Sequence, residues 1–468
     1  MLQRVVRFFW PDIKEDDVQK FSILALTFFC IIGSYWMFRL LKDTVFFKIA
    51  FPEALGWAPE QGGLFVPIAK AISPFVVIFC VLVYSKLVDI FKKHQLFYVI
   101  CSFYAALFGV ITALLVVRNM YGDAALGKNL LAAVGWVAYF GIESFGSIMV
   151  PLFWSFTISI TDSNTAKVGF PLIIAGAQIG SIGGSALNIF SEQLGGVWRL
   201  FLIGTLFVLA VIGLIYYFMK VMPKDELVGN KEAAKEEKTH KKEGFIEGFV
   251  SGLTLLFTKP YLLGILVVST IYEVVGTIMD YQMKRQASVF PAFSSEVGFN
   301  KFMGIFGVCA NGLAFVMALL GTSYLLKKYG IKVCLLIYPI CFGIALIGFY
   351  CLYTFAAPSA STLLWATFAV MMIVKGLSYA VNNPTKEMMY IPTSKDAKYK
   401  AKGWIDMFGG RTAKAAGSAV TNSLKKDMAT LMTYGTLFGL GLIGFWIVVA
   451  IFVANKNQKL IKDGTIVG

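Results

Sequence analysis

The sequence places charged side chains inside long apolar segments. Nine are cations and six are anions. The cations are Arg39, Lys42, Lys70, Lys284, Arg285, Lys375, Lys386, Arg411 and Lys414, and the anions are Asp43, Glu143, Glu273, Asp280, Glu387 and Asp406. A charge at membrane depth costs at least ~2.5–3.5 kcal/mol on insertion scales, so each needs a charged partner, a water-filled cavity or a ligand. Because cations outnumber anions, a cavity lined by these residues would attract a polyanion.

Six of these cations form the candidate phosphate-binding set. They are Arg39, Lys42, Lys70, Lys386, Arg411 and Lys414, and both halves of the chain contribute. Arg binds a phosphate through two parallel hydrogen bonds, and Lys binds it as a point charge. Arg39 and Lys42 lie near the end of their apolar run and could instead extend to the membrane surface or pair locally. Lys284 and Arg285 could likewise be interfacial.

Five carboxylates are candidates for coupling substrate binding to closure or to a proton. They are Glu143, Glu273, Asp280, Glu387 and Asp406. Glu143 lies in the middle of its run, where a carboxylate either pairs with a cation or carries a proton. Lys386 and Glu387 are adjacent, so on a helix they point about 100° apart and are poorly placed to pair with each other. Asp406 could form a structural cluster with the two cations that follow it.

Trp154 and Phe156 are candidates for stacking on a base such as adenine, with packing inside the membrane as the alternative. The sequence contains no GxxxxGK[ST] motif and no convincing GxGxxG after a strand, so we do not expect ATP hydrolysis. His94 and His240 fall in polar connections. We therefore expect neither a metal site built on His nor catalysis through a buried His, and we expect no cofactor and no enzymatic activity of any kind.

Membrane-spanning helices must position these residues. Of the 468 residues, 57% are apolar and 15% are charged, with a mean hydropathy of +0.72. One soluble core cannot hide so many apolar residues, so we expect an all-α, multi-pass membrane protein. About twelve runs are long enough to cross a bilayer. They fall near 21–42, 63–90, 96–117, 129–160, 168–190, 196–221, 261–285, 301–326, 333–356, 361–391, 403–424 and 431–455.

A charged stretch divides these runs into six and six. Residues 224–243 are mostly charged and contain no aromatic residue, which is typical of a solvated linker. We predict an N-terminal six-helix bundle over 1–222, a cytoplasmic charged linker that could include an amphipathic helix over 223–260, and a C-terminal six-helix bundle over 261–468. Lys and Arg are enriched on the side of both termini, which predicts that the termini lie in the cytoplasm. This layout is that of major-facilitator-like transporters.

The segment 383–418 resembles a family signature. It reads NPTKEMMYIPTSKDAKYKAKGWIDMFGGRTAKAAGS and is similar to the pattern DPTKEMAYIP…KxKGKAAIDVVGSRLGKSGGS. That pattern is typical of the nucleotide transporters of intracellular bacteria and plastids, often called ADP/ATP translocases. The matching charged positions are Lys386, Glu387, Asp406, Arg411 and Lys414. LLKDT at 40–44, Lys70, and the FWSF element at 153–156 with its preceding Glu143 also resemble family segments.

The resemblance implies a divergent family member with twelve spans. It implies transport of intact nucleotides, ATP and ADP or other nucleoside triphosphates, across a bacterial inner membrane. Transport would proceed by alternating access, either as exchange or with protons. The expected partners are a nucleotide or other phosphorylated small molecule and the lipid bilayer. We expect no nucleic-acid partner and a monomeric protein.

Departures from the family pattern leave other functions open. Val45 stands where the family has a lysine, Ile158 and Ser159 replace an Asn-Gln pair, and Asp280 best matches a glutamate. A lost hydrogen bond to a buried partner is worth ~1–3 kcal/mol, which is enough to alter specificity. The alternatives are a carrier for another phosphorylated anion on the same fold, such as NAD or a sugar phosphate, and a non-transporting membrane receptor.

Overall fold

The computed structural model describes residues 13, 15–222, 245–320, 322–394, 397 and 401–467. These residues are helical almost throughout, and the β-type pairing among them is an isolated parallel bridge between Thr393 and Val467. The prediction of an all-α protein is confirmed. The predicted linker lies outside the described residues over 223–244.

In its first half the chain forms six long helices. They are α1 (Glu15–Thr44), α2 (Gln61–Ile90), α3 (Lys93–Tyr121), α4 (Gly127–Ser159), α5 (Ser163–Ile189) and α6 (Val197–Val221). A π-helical turn, Val45–Ile49, extends α1, so one continuous helical segment carries the LLKDT residues and continues beyond them.

The second half contains longer and shorter helices. They are α7 (Phe245–Thr258), α8 (Pro260–Val289), α9 (Glu296–Leu320), α10 (Thr322–Phe355), α11 (Ala360–Leu377), α12 (Asn383–Met389), α13 (Lys402–Trp404), α14 (Gly410–Leu424), α15 (Met428–Thr430) and α16 (Thr436–Lys462). Gly330 kinks α10 with a φ of 73°, a left-handed conformation that glycine adopts without a steric penalty. π-Helical turns join α11 to α12, α13 to α14 and α15 to α16.

Across the described residues, eleven helical segments are long and apolar enough to cross a membrane. Each corresponds to one of the twelve predicted runs. The remaining run, 403–424, is also helical, through α13, the π-turn Ile405–Gly409 and α14. It contains Asp406, Arg411 and Lys414, so it is far more polar than the other runs. The most polar transmembrane candidate is therefore the one that carries the signature charges.

The described residues fall into two compact units. Unit 1 comprises the described residues within Met1–Gly62, Phe75–Lys242 and Ala292–Asn311. Unit 2 comprises those within Gly63–Pro74, Glu243–Pro291 and Gly312–Gly468. Helices α2 and α9 contribute one part to each unit. Lys70 consequently belongs to unit 2, although its helix is the second in the chain.

Within unit 1, α1 packs closely against α5 because α5 presents glycines at four-residue intervals. A Cβ atom at Gly176 would lie 2.6 Å from the Ala25 carbonyl oxygen, and one at Gly184 would overlap the Gly33 carbonyl oxygen. Small residues at such spacing let helix backbones approach each other in a membrane. This contact fixes α1, which carries the candidate cations of unit 1.

In unit 2, α8 packs against α14. A Cβ atom at Gly417 would lie 2.5 Å from the Val274 carbonyl oxygen, so the small-residue face of α14 serves close helix packing. Ala413 and Ser418 are buried on the same helix. The packing holds the charged face of α14 beside α8, which carries Glu273 and Asp280.

Candidate functional site

The ammonium group of Lys42 forms an ion pair with the Glu143 carboxylate in unit 1. The Lys42 side chain is 7% exposed and the Glu143 side chain is 35% exposed. Lys42 Nζ also lies 4.4 Å from the centre of the Tyr139 ring, one helical turn before Glu143 on α4. A nearly buried cation is thus held by one carboxylate that remains partly open.

Amide side chains fix the end of α1 that carries Lys42. Thr44 Oγ1 donates to Asn300 Oδ1 at 2.9 Å, and Asn300 Nδ2 donates to the Asn188 carbonyl oxygen at 3.2 Å. All three residues are buried. Gly304 lies against the backbone of Ile189, and a Cβ atom at Gly304 would be 2.7 Å from the Ile189 nitrogen. These contacts restrict the position of the Lys42 backbone.

Arg39 lies one turn before Lys42 on α1. Its guanidinium carbon is 4.8 Å from the centre of the Trp36 ring, and its Nη1 donates to Tyr35 Oη at 3.4 Å. All three side chains are half-buried. A guanidinium group over an indole ring is a favourable cation–π arrangement. The predicted phosphate ligand Arg39 therefore lies among aromatic rings.

In unit 2, two lysines share one carboxylate oxygen. Lys70 Nζ lies 2.7 Å from Asp280 Oδ2, and Lys284 Nζ lies 2.8 Å from the same atom. The three side chains are between 8% and 17% exposed. Lys284 is buried, and its partner Asp280 lies four residues earlier on the same helix, α8. Lys70, Asp280 and Lys284 form a weakly exposed triad in which two ammonium groups share one carboxylate oxygen.

The adjacent signature residues Lys386 and Glu387 pair with different partners. Lys386 Nζ donates to Asp406 Oδ1 at 2.6 Å, and Lys402 Nζ donates to Glu387 Oε2 at 2.6 Å. The two side chains point in different directions from α12, as their helical spacing predicts. Asp406 therefore forms an ion pair with a cation from another helix, in addition to sharing the 403–424 segment with Arg411.

The ammonium nitrogen Nζ of Lys414, on α14, lies 3.7 Å from Glu273 Oε1, on α8. The Lys414 side chain is 44% exposed and that of Glu273 is 17% exposed. Arg411 is half-buried one turn earlier on α14. The packing of α14 against α8 thus brings a predicted phosphate ligand beside a predicted coupling carboxylate.

All five predicted coupling carboxylates lie within ion-pair distance of a lysine. The pairs are Glu143 with Lys42, Asp280 with Lys70 and Lys284, Asp406 with Lys386, Glu387 with Lys402, and Glu273 with Lys414. Two of these lysines, Lys284 and Lys402, are absent from the predicted phosphate-binding set. The spacing of Lys284 four residues after Asp280 is the signal that identifies it, because such residues share a helix face.

The two predicted base-stacking residues pack inside unit 1. Phe156 is 3% exposed, and its ring lies edge-on to Phe97 and Phe218 at 5.6 and 5.7 Å between centroids. Trp154 is half-buried and makes edge contacts with Phe28 and with a further aromatic ring of α5. Their surroundings favour packing over ligand stacking.

A second basic group lies where α8 and α14 end in unit 2. Arg285 Nη1 donates to the carbonyl oxygen of Lys425 at 3.0 Å, and Lys425 Nζ donates to the Leu64 carbonyl oxygen at 2.5 Å. Burial lowers the pKa of Lys425, and the neighbouring charges of Arg285 and Lys426 lower it further. This group joins three chain segments of unit 2.

Comparison with known proteins identifies relatives over most of the sequence. A family model described as TLC ATP/ADP transporter matches residues 1–126 and 127–459. The chloroplastic ADP,ATP carrier protein 2 of Arabidopsis thaliana is 27% identical over 96% of this chain and 75% of its own length. ADP,ATP carrier protein 1 of Chlamydia muridarum is 26% identical over 97% of this chain and 90% of its own. ADP,ATP carrier protein 1 of Rickettsia prowazekii is 25% identical over 90% of this chain and 89% of its own length.

Solved structures share the fold at low sequence identity. The nucleoside transporter NupG superposes with a TM-score of 0.60 and 14% identity over 92% of this chain and 98% of its own. The D-xylose-proton symporter superposes with a TM-score of 0.61 and 12% identity over 92% of this chain and 96% of its own. Similarity at this identity establishes the fold alone. The prediction of a major-facilitator-like architecture is confirmed.

Proposed function

Because the chain belongs to the TLC ATP/ADP transporter family, we propose that it is a secondary active transporter that moves nucleotides across a membrane by alternating access. It is an integral, multi-pass membrane protein, and its family and fold are those of transporters. We place it in a bacterial inner membrane, with both termini in the cytoplasm, as a monomer. The cargo is ATP, ADP or another nucleoside triphosphate.

The observation that carries the proposal is the pairing of weakly exposed lysines with carboxylates in both units. Lys42 is held by Glu143, and Lys70 is held by Asp280. A terminal phosphate group is a stronger anionic partner than a carboxylate because the group carries more negative charge and offers three acceptor oxygens instead of two. A polyphosphate that binds such a lysine would displace its carboxylate, so substrate binding would rearrange the pair.

The displaced carboxylate links substrate binding to helix movement. A charge left unpaired in a low-dielectric site is strongly unfavourable, so the helix that carries it must find a new partner or admit water. Binding and movement would therefore be coupled through Glu143 in unit 1 and through Asp280 and Glu273 in unit 2. The proposed set of phosphate ligands is completed by Lys386, Arg411 and Lys414, whereas the guanidinium group of Arg39 lies over the Trp36 ring.

Uptake by proteoliposomes containing the purified protein tests the proposal. We expect labelled ATP or another labelled nucleotide to accumulate, and we expect Lys70→Ala to abolish that accumulation. Liposomes preloaded with ADP and empty liposomes with a pH gradient distinguish exchange from proton symport. If none of ATP, GTP and NAD is taken up under either condition, with the protein demonstrably inserted, the proposal is wrong.

The surroundings of Val45 favour a second candidate function. Val45 occupies the position of a family lysine, and it is fully buried in the hydrophobic core of unit 1. This position therefore supplies no positive charge to a ligand. With one cation fewer than the family pattern, the binding site suits a cargo with fewer phosphate groups than ATP. A carrier for a sugar phosphate or another phosphorylated anion is the alternative. It is favoured if phosphorylated sugars, and not nucleotides, raise the melting temperature of the purified protein.

A further inference from the structure

Two facing helices of unit 1 combine aromatic and cationic side chains in a regular order. On α1, Tyr35, Arg39 and Lys42 are separated by four and three residues, so they lie on one face. At ~1.5 Å rise per residue, Tyr35 and Lys42 are separated by about 10 Å along the helix. This face therefore runs from an aromatic ring, through a guanidinium group, to an ammonium group.

The facing surface of α4 has the complementary order. Tyr139, Glu143 and Gly146 are again separated by four and three residues. The Lys42 ammonium lies over the Tyr139 ring and pairs with Glu143. At the other end, a Cβ atom at Gly146 would overlap the Tyr35 ring, so only glycine leaves room for this ring. The two helix faces are fitted to each other at both ends.

The aromatic end of this arrangement is partly exposed. The side chains of Tyr35, Trp36 and Arg39 are half-buried. Of the two stacking residues predicted from the sequence, Phe156 is buried in the core and Trp154 packs edge-on against a neighbouring ring. The Tyr35 and Trp36 rings are 6.3 Å apart between centroids and inclined at 68°, so they present two ring faces in different directions. The Arg39 guanidinium lies 4.8 Å from the Trp36 ring centre and 5.9 Å from that of Tyr35.

We propose that Tyr35, Trp36 and Arg39 form the nucleobase subsite of this transporter, with the phosphates directed along α1 toward Lys42. The inference rests on the proposed function and deepens it. Nucleobases stack on aromatic rings and on guanidinium planes, and the ammonium group one turn further along is suited to the phosphates. Stacking tolerates every base because each has a π-face, so the substrate class is a nucleoside polyphosphate with little discrimination among bases.

The test separates base recognition from phosphate recognition. Binding of ATP and of inorganic tripolyphosphate to the purified protein is measured for the variants Tyr35→Leu and Trp36→Leu. We expect each variant to weaken ATP binding at least about fivefold and to leave tripolyphosphate binding unchanged. Tyr35→Phe keeps the ring and should bind ATP within about twofold of the unmodified protein.

A matched control is available in the same unit. The guanidinium carbon of Arg199 lies 4.9 Å from the centre of the Trp198 ring, so this pair forms a similar stack outside the proposed subsite. Trp198→Leu should leave the affinity for ATP unchanged. Should a Leu variant lose its melting transition, Arg39→Lys retains the charge, removes the planar group, and should show the same selective loss of ATP binding.

Different results overturn the subsite and the proposed function. The subsite is wrong if the Leu variants and Arg39→Lys bind ATP normally. It is also wrong if their affinities for ATP and tripolyphosphate fall in parallel, or if the unmodified protein binds both ligands equally well. The proposed function instead fails if ATP binds selectively through these residues but proteoliposomes take up no nucleotide.

Discussion

Lys70 and Asp280 meet at 2.7 Å although 210 residues separate them in the sequence. Lys70 lies on α2, in the part of that helix that belongs to unit 2, and Asp280 lies on α8. Lys284 adds a second ammonium group to the same carboxylate oxygen. Asp280 therefore offsets the repulsion between two weakly exposed cations.

Replacing Asp280 with Asn should destabilise unit 2. The substitution preserves the shape of the side chain but removes the negative charge that Lys70 and Lys284 both contact, which we expect to cost about 3–5 kcal/mol. Thermal unfolding of the purified protein measures the loss as a lower melting temperature. Tripolyphosphate should restore part of it by supplying the missing negative charge.

The double variant Asp280→Asn, Lys284→Met provides the control for this prediction. It removes one cation together with the anion, so the repulsion is relieved and most of the stability should return. If Asp280→Asn unfolds at the temperature of the unmodified protein, the triad is not the structural element that we infer.

Lys386 and Lys402 provide a matched pair for the signature segment. The Lys386–Asp406 side chains are 18% and 38% exposed, whereas those of Lys402 and Glu387 are 30% and 54% exposed. An exposed ion pair is worth about 0–1 kcal/mol, so Lys402→Ala should reduce nucleotide uptake by no more than about threefold. Lys386→Ala should abolish uptake because it removes a proposed phosphate ligand. Near-normal uptake by Lys386→Ala would remove this residue from the site.

Two variants of the Lys42–Glu143 ion pair distinguish its contribution to stability from its contribution to transport: one removes the anion, and the other exchanges the two charges. Glu143→Gln removes the anion that pairs with the nearly buried Lys42 and should lower the melting temperature, at a cost of about 1–3 kcal/mol. The double variant Lys42→Glu, Glu143→Lys restores an ion pair and should regain most of that stability. It should not regain uptake, because a carboxylate then stands where the phosphate needs a cation. Recovery of transport would show that the pair is purely structural.

Much of the fold is predictable because hydropathy is a local property. Each membrane-spanning helix is encoded within its own 18 or more residues, and eleven such helices among the described residues match predicted runs. The divergent directions of Lys386 and Glu387 are also predictable, since helical geometry alone determines them. The opposite charges within the runs indicate that partners exist.

Apart from the Asp280–Lys284 pair, whose four-residue spacing places both on one helix face, the identity of those partners is not predictable from the residues alone. Lys42 and Glu143 are 101 residues apart, and their contact depends on how α1 packs against α4. Asp406 pairs with Lys386, 20 residues earlier, a contact that the spacing within 403–424 does not predict. Hydropathy and spacing describe each helix separately, whereas the ion pairs depend on the rotation of each helix against its neighbours. The roles of these residues in phosphate binding are our proposal.

Two neighbouring glycines on α5 test the packing that positions α1. A Cβ atom at Gly184 would overlap the Gly33 carbonyl oxygen, which is backbone and cannot move away without shifting α1. Gly184→Ala should therefore lower the melting temperature and weaken nucleotide binding together, because α1 carries Lys42. A Cβ atom at Gly183 would meet no described atom within 4 Å, so Gly183→Ala should behave as the unmodified protein. Equal behaviour of the two variants would contradict the close α1–α5 contact.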